Sequence, residues 1–160
     1  MMIDKREFRN TLGRFATGIT IVTTVEEDKV HGMTANAFLS VSLDPPLVLV
    51  SIDHKAKMHQ LLPKTHMYGI SILREDQEAV SQHFAGRPQE NAPQFFWKEN
   101  FPFIKNSIAQ LACEIVDEHP AGDHTLYIGQ VKWLSYEEEG NPLLFYAGKY
   151  RKLDLKGEAE

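Results

Sequence analysis

Residues 31–52 read HGMTANAFLSVSLDPPLVLVSI. The stretch ends in an apolar run, Leu47, Val48, Leu49, Val50 and Ile52, which reads as a buried strand. It begins differently: Thr34, Ala35, Asn36 and Ala37 are small, carry few bulky atoms, and follow Gly32 directly. Small side chains where a core strand would carry bulk leave room for a flat group against the backbone. Between the two parts, Asp44, Pro45 and Pro46 allow only an extended or turn conformation, so the apolar run is entered by a sharp change of direction.

Upstream, DKREFRNTLGRFA has a helical pattern with Phe8, Leu12 and Phe15 on one face, and Asp4 with Glu7 marks its start. Gly18 is expected to end that helix, GITIVTTV to form a β-branched strand, EEDK a hairpin turn and VHGMT the returning strand. Downstream, KAKMHQLL reads as a short helix closed by Pro63, MYGISIL as a strand, and EDQEAVSQHFA as a second short helix with Val80 and Phe84 one turn apart. Residues 87–102 hold three prolines and little periodicity, and read as a long surface loop anchored by Phe95, Phe96 and Trp97. AQLACEIVDEH and DHTLYIGQVKWLSY read as long strands, with a bulge or corner expected at Gly129, where the apolar parity changes from Leu126 and Ile128 to Val131 and Trp133. LLFYAGKYRKL closes the fold.

These segments give about six or seven strands with helices too short for parallel crossovers, which implies a mostly antiparallel Greek-key β-barrel with short peripheral helices. One domain, residues 1–153, is expected, followed by a polar tail at 154–160. The 160 residues are 42% hydrophobic and 24% charged, ordinary values for a globular chain with one core. A net charge of −5 argues against a nucleic-acid partner. Cys113 is the single cysteine, so there is neither an internal disulfide nor a multi-cysteine metal site. His54 with His59 and His119 with His124 are each five apart, not the helical pair of a zinc protease, and no metal is expected. No run approaches the ~18 apolar residues of a membrane helix, and MMIDKREF is not a signal peptide, so a cytoplasmic address is the expectation.

Three places carry chemistry. Ser51 ends the apolar strand, and Ala56 and Lys57 open the next helix, whose free N–H groups suit a phosphate. A flat group near Thr34–Ala37 and a phosphate near Lys57 together describe a flavin; a tight turn before an ordinary lysine-capped helix fits the same residues. Gly86 in FAGR is either a helix C-cap or, with Ala85, a place where backbone approaches a ligand. His124 opens a strand after the Gly122–Asp123 turn, either simply solvated or flanking a pocket.

Taken in order, FRNTLGRFATGITIVTT, HGMTANAFLSVSLDPPLVLVSI, KAKM, FAG, GDHTLYIGQV and PLLFYAGKY resemble the short-chain flavin reductases, the small components of two-component flavin-dependent monooxygenases. The closest resemblance is to the reductases serving phenol and 4-hydroxyphenylacetate hydroxylases. The resemblance implies an FMN-binding split barrel, a homodimer, FMN or FAD as flavin, NADH or NADPH as hydride donor, and a partner monooxygenase that receives reduced flavin. It implies that Met33, Thr34, Ala35, Asn36 and Ala37 contact the isoalloxazine, that Ser51, Ala56 and Lys57 hold the phosphate end, and that Phe84, Ala85 and Gly86 lie along the ribityl chain or ring. It places His124 beside the nicotinamide and Tyr150 near the same mouth. Hydride transfer between two bound cofactors needs no acid–base dyad, which suits so sparse a set of polar side chains. The alternative is a split barrel that binds or carries flavin without turnover. Arg87 and Arg151 are the candidates for an additional phosphate on NADPH.

Overall fold

A computed structural model of the chain describes residues 2–156. Helix α1 spans Lys5–Leu12, capped by Asp4, whose Oδ1 accepts from the Arg6 and Glu7 amides at 2.9 and 3.0 Å. It stops at Gly13, not Gly18, which instead lies in the short strand β1, Thr17–Gly18. Strands β2 (Thr20–Glu26) and β3 (Lys29–Ala35) form a hairpin through Glu27 and Asp28, both with positive φ, the geometry of a tight two-residue turn. Strand β4 (Phe38–Ser42), unforeseen in the sequence reading, pairs with β5 (Leu47–Asp53) across the Asp44–Pro45–Pro46 turn.

Helix α2 spans Lys57–Thr65 and buries Met58, Leu61 and Leu62. Pro63 lies inside it rather than closing it. A proline there leaves the carbonyl four residues back without its helical donor. That carbonyl, on His59, has the Tyr127 hydroxyl 3.4 Å away, and His66 in a left-handed conformation ends the helix. Then follow β6 (Met67–Ile72), α3 (Glu78–Phe84), β7 (Phe95–Lys98), β8 (Phe101–Ile104), β9 (Ala109–Ala121), β10 (His124–Tyr136), β11 (Leu143–Tyr146) and β12 (Lys149–Lys152). The expected loop at 87–102 is therefore partly a hairpin: Phe95–Lys98 pairs with Phe101–Ile104, with Pro102 opposite Trp97 and its carbonyl accepting from the Thr23 hydroxyl. Residues 153–156 carry no helix or strand, and 157–160 of the expected tail lie outside the described residues.

All strand pairs are antiparallel. The main sheet runs β3-β2-β6-β9-β10-β5-β4, flanked by β1-β11-β12 and β7-β8. Its two outermost strands, β3 and β4, are consecutive in the chain, so the sheet curls until they meet without joining, which is the split barrel expected. Val22, Val50, Ile52, Tyr68, Ile70, Cys113 and Tyr127 fill the barrel, and α2 covers one end with Met58 and Leu62. Phe103 and Ala112 anchor a satellite cluster with Phe96 and Trp133, while Phe95 packs toward Phe84. The irregularity expected at Gly129 exists, but the extra residue is Val116 on β9, and a second shift surrounds Lys132 on β10. The core face does not change parity at Gly129: Tyr127 and Val131 both point into the barrel. Among the described residues no helix is long and apolar enough to cross a membrane, and no group of three metal-ligating side chains occurs.

Candidate functional site

The site is built around the open edge of β3. As an outermost strand, β3 has one row of backbone N–H and C=O groups without a strand partner. Helix α2 approaches from one side and the end of α3 from the other. Between them lies a cavity of about 410 Å³ lined by His31, Gly32, Met33, Ala56, Lys57 and the Ala85–Gly86 turn, with Met58 and Leu61 completing the lining. Five of the residues singled out from sequence meet here: Met33, Ala56, Lys57, Ala85 and Gly86. Gly86 has φ +87°, and a Cβ there would meet nothing within 4 Å, so its value is the turn and the open approach it leaves.

Asn36, Ala37 and Ser51 line a second, larger groove of about 1500 Å³, together with Leu12, Phe15 and Leu126. The Ser51 amide donates to the Ala37 carbonyl at 3.1 Å, which extends the β4–β5 pairing into the small-residue segment. The smaller cavity thus takes residues 31–33 of this stretch and the larger groove residues 36 and 37.

Four predicted residues have side chains already committed within the protein. The Thr34 hydroxyl donates to the Ser81 carbonyl at 2.6 Å, and Ala35 is buried with its carbonyl accepting from Thr20. The Phe84 ring lies so close to Gly32 that an added Cβ would sit 2.6 Å from it. The Tyr150 hydroxyl is 2.8 Å from that of Ser81. The outer face of β3 is therefore occupied by α3, and a ligand meets Thr34 and Ala35 only through backbone. His124 lines neither cavity. It faces Asp53 across β5, on the same side of the sheet as Leu126 and Ser51, at the rim of the larger groove. Its Nδ1 is 2.7 Å from Asp123 Oδ1, and that bond holds the Asp123 carboxyl below the usual carboxylate range. A carboxylate acceptor fixes the proton on Nδ1 and leaves Nε2 free in the neutral ring.

His31, Gly32 and Ser81 were missed by sequence reading. Strand alternation could have found His31, which shares its face with Met33. Its imidazole is held below the ordinary range by burial and then by the charge of Lys57. A backbone edge, a lysine at a helix start and an open glycine turn match what a flavin offers: a polar ring edge, a phosphate and a flat body. The donors present fit that group.

Residues 12–154 match the family model described as a flavin reductase like domain. The chain is 56% identical over 156 residues to an NADH-dependent flavin reductase of a Rhodococcus species, covering 95% of this chain and 88% of the relative. It is 40% identical to the reductase component of 4-hydroxyphenylacetate 3-monooxygenase of Thermus thermophilus, covering 93% and 97%. Among solved structures, the flavin reductase PheA2 in its native state superposes with a TM-score of 0.91 at 49% identity, covering 95% of this chain and 99% of that one.

Proposed function

The chain belongs to the flavin reductase-like family, and from that premise we propose how its residues share the work. The protein is an NADH-dependent flavin reductase that supplies reduced FMN or FAD to a partner monooxygenase. When both cofactors are bound, a hydride passes from the nicotinamide to the flavin, and the cofactors themselves carry that chemistry. The protein's part is to align them and keep water out.

In this reading the β3 edge between Met33 and Ala37 grips the ring through main-chain groups. Lys57 and the N–H groups at the start of α2 take the phosphate, with Ser51 on the adjoining strand and Ala56 keeping the approach clear. Ala85 and Gly86 let the chain pass close to the ligand, and Phe84 holds that turn in place by packing on Gly32. Tyr150 steadies the same turn through Ser81. His124, with Nε2 free at the rim, orients the nicotinamide. The observation that carries this scheme is the convergence of Met33, Ala56, Lys57, Ala85 and Gly86 on one cavity.

A homodimer belongs to the same reading. Phe8 and Leu12 on α1 and Phe15 just after it, with Leu39 and Val41 on β4 and Leu43 after it, expose large apolar area in the single chain. Phe96 and Trp133, by contrast, are packed within the chain around Phe103, whereas Trp97 is exposed and available to an interface. A cytoplasmic location agrees with dependence on NADH. The test is NADH oxidation with and without added flavin. Turnover that requires added FMN or FAD supports a reductase using flavin as substrate, and no oxidation under either condition overturns the reading in favour of a carrier.

A further inference from the structure

Beside Lys57 in the smaller cavity stands a second ionisable group for which the scheme above has no use. His31 is on β3, opposite Thr24 of β2 and on the face of the strand that also carries Met33 and Ala35. Ala35 is buried in the barrel core and Met33 packs against it while also lining the cavity, so His31 is the residue of that face that brings a polar side chain to the cavity, which it shares with Lys57 from α2. From the α3 side only the Ala85–Gly86 turn after the helix lines the cavity, and His83 in the helix accepts from the Gln89 amide. From the β2–β3 hairpin, Glu26 acts in favour of a charged imidazole and Lys29 against it. One oxygen of Glu26, Oε2, is buried without a hydrogen-bond partner among the described residues.

We propose that His31 is a phosphate-binding residue of this site, one that takes up a proton from solvent as the flavin's phosphate docks and returns it on release. The proposal rests on the reading of this cavity as the phosphate end of the flavin site. In the free protein burial first, and then the charge of Lys57 on the same cavity, disfavour a charged His31 ring. An arriving phosphate reverses that balance, since the anion attracts both, and the charge of Glu26 already favours the protonated ring. The imidazole then turns from a spectator into a donor. Because the bound-state imidazole is the more basic, binding is strongest below its free-state titration, and that advantage is lost as pH rises through the bound-state one. Flavin capture is thereby linked to pH at a residue remote from the hydride path.

The test is a fluorescence titration of the full-length protein with FAD between about pH 5.5 and 8.5, the window in which histidine titrates. FAD is the probe because its diphosphate does not titrate there, whereas the phosphate of FMN does. Wild-type affinity is expected to fall with pH, and His31→Gln to bind FAD roughly 5–20-fold more weakly at the acid end with little difference at the alkaline end. Calorimetry in buffers of different ionisation enthalpy should show proton uptake on binding that disappears in His31→Gln. His31→Arg, permanently charged, should bind well at every pH and show no uptake. Riboflavin, which lacks phosphate, should show none of these effects. His31→Gln with wild-type affinity and proton uptake would overturn the proposal, as would a loss that is equal at every pH. Lys57→Ala separates the two readings: if it too leaves FAD binding unchanged, the assignment of the cavity itself fails; if it weakens binding while His31→Gln does not, only the role of His31 is refuted.

Discussion

Gly129→Ala should destabilise the protein by about 2–4 kcal/mol, and the reason is local geometry rather than backbone conformation. An added Cβ would lie 2.5 Å from the Tyr68 hydroxyl and 2.8 Å from Cys113 Cβ. Neither neighbour can yield cheaply. Tyr68 is fully buried and its hydroxyl donates to the Tyr127 carbonyl at 3.1 Å, while Cys113 Cβ is fixed to a central strand of the sheet. Overpacking of this kind costs about 1–3 kcal/mol, and displacement of the Tyr68 hydroxyl adds about 1 kcal/mol for its hydrogen bond. For a chain of this length each kcal/mol lowers Tm by about 2–4 °C, so a fall of roughly 5–15 °C is expected. Circular dichroism melts at one fixed protein concentration would measure it, since any association makes Tm concentration-dependent. Tyr68→Phe removes one of the two obstacles, so the double variant should be less destabilised than the two single ones added together, by about 1 kcal/mol. A Tm within about 2 °C of wild type for Gly129→Ala would refute the reasoning.

Three further outcomes are expected. His124→Ala should leave flavin affinity intact and lower kcat/KM for NADH about 10–100-fold, and steady-state kinetics with NADH varied at saturating flavin that match wild type would remove His124 from the site. Val41→Asp on the exposed face of β4 should split a dimer held by more than about 2,000 Å² while hardly changing the fold of one chain; sedimentation showing a wild-type monomer at micromolar concentration would refute the dimer. Cys113 is buried and its thiol is pushed up to about 12 by that burial, so iodoacetamide at about pH 8 should label it only with denaturant present, and rapid labelling of the native protein would contradict the packing.

Sequence periodicity located α1, β2, β3, β5, α2, β6 and α3 because each has an apolar face that the barrel, or a groove on it, uses. It failed where burial is supplied by something other than the usual pattern. Strand β4 leaves Leu39 and Val41 exposed in the single chain, so its alternation does not separate inside from outside. The β7–β8 hairpin hides behind Pro102, whose carbonyl is satisfied by Thr23 some 79 positions away in the chain, and no local signal reports that. Pro63 looks like a stop in sequence because the group beside the carbonyl it releases, the Tyr127 hydroxyl, comes from a distant strand. At the site, small residues, the helix start at Lys57 and the Gly86 turn were legible. The engagement of Thr34 and Tyr150 with Ser81 was not, because hydrogen bonds across 47 and 69 positions leave no trace in spacing.

The bare edge of β3 has a consequence for the protein between turnovers. A reductase that hands its product away spends part of each cycle with that edge uncovered, and an uncovered strand edge is a template for runaway association with other chains. Here the edge at His31–Met33 runs along the bottom of a trench walled by α2 and by the Ala85–Gly86 turn. The trench admits a slender planar molecule, but a foreign strand with its side chains would strike both walls before its backbone came within bonding distance. The same two walls that aim a ligand at the edge thus quarantine it, and the protein can stay dispersed while empty.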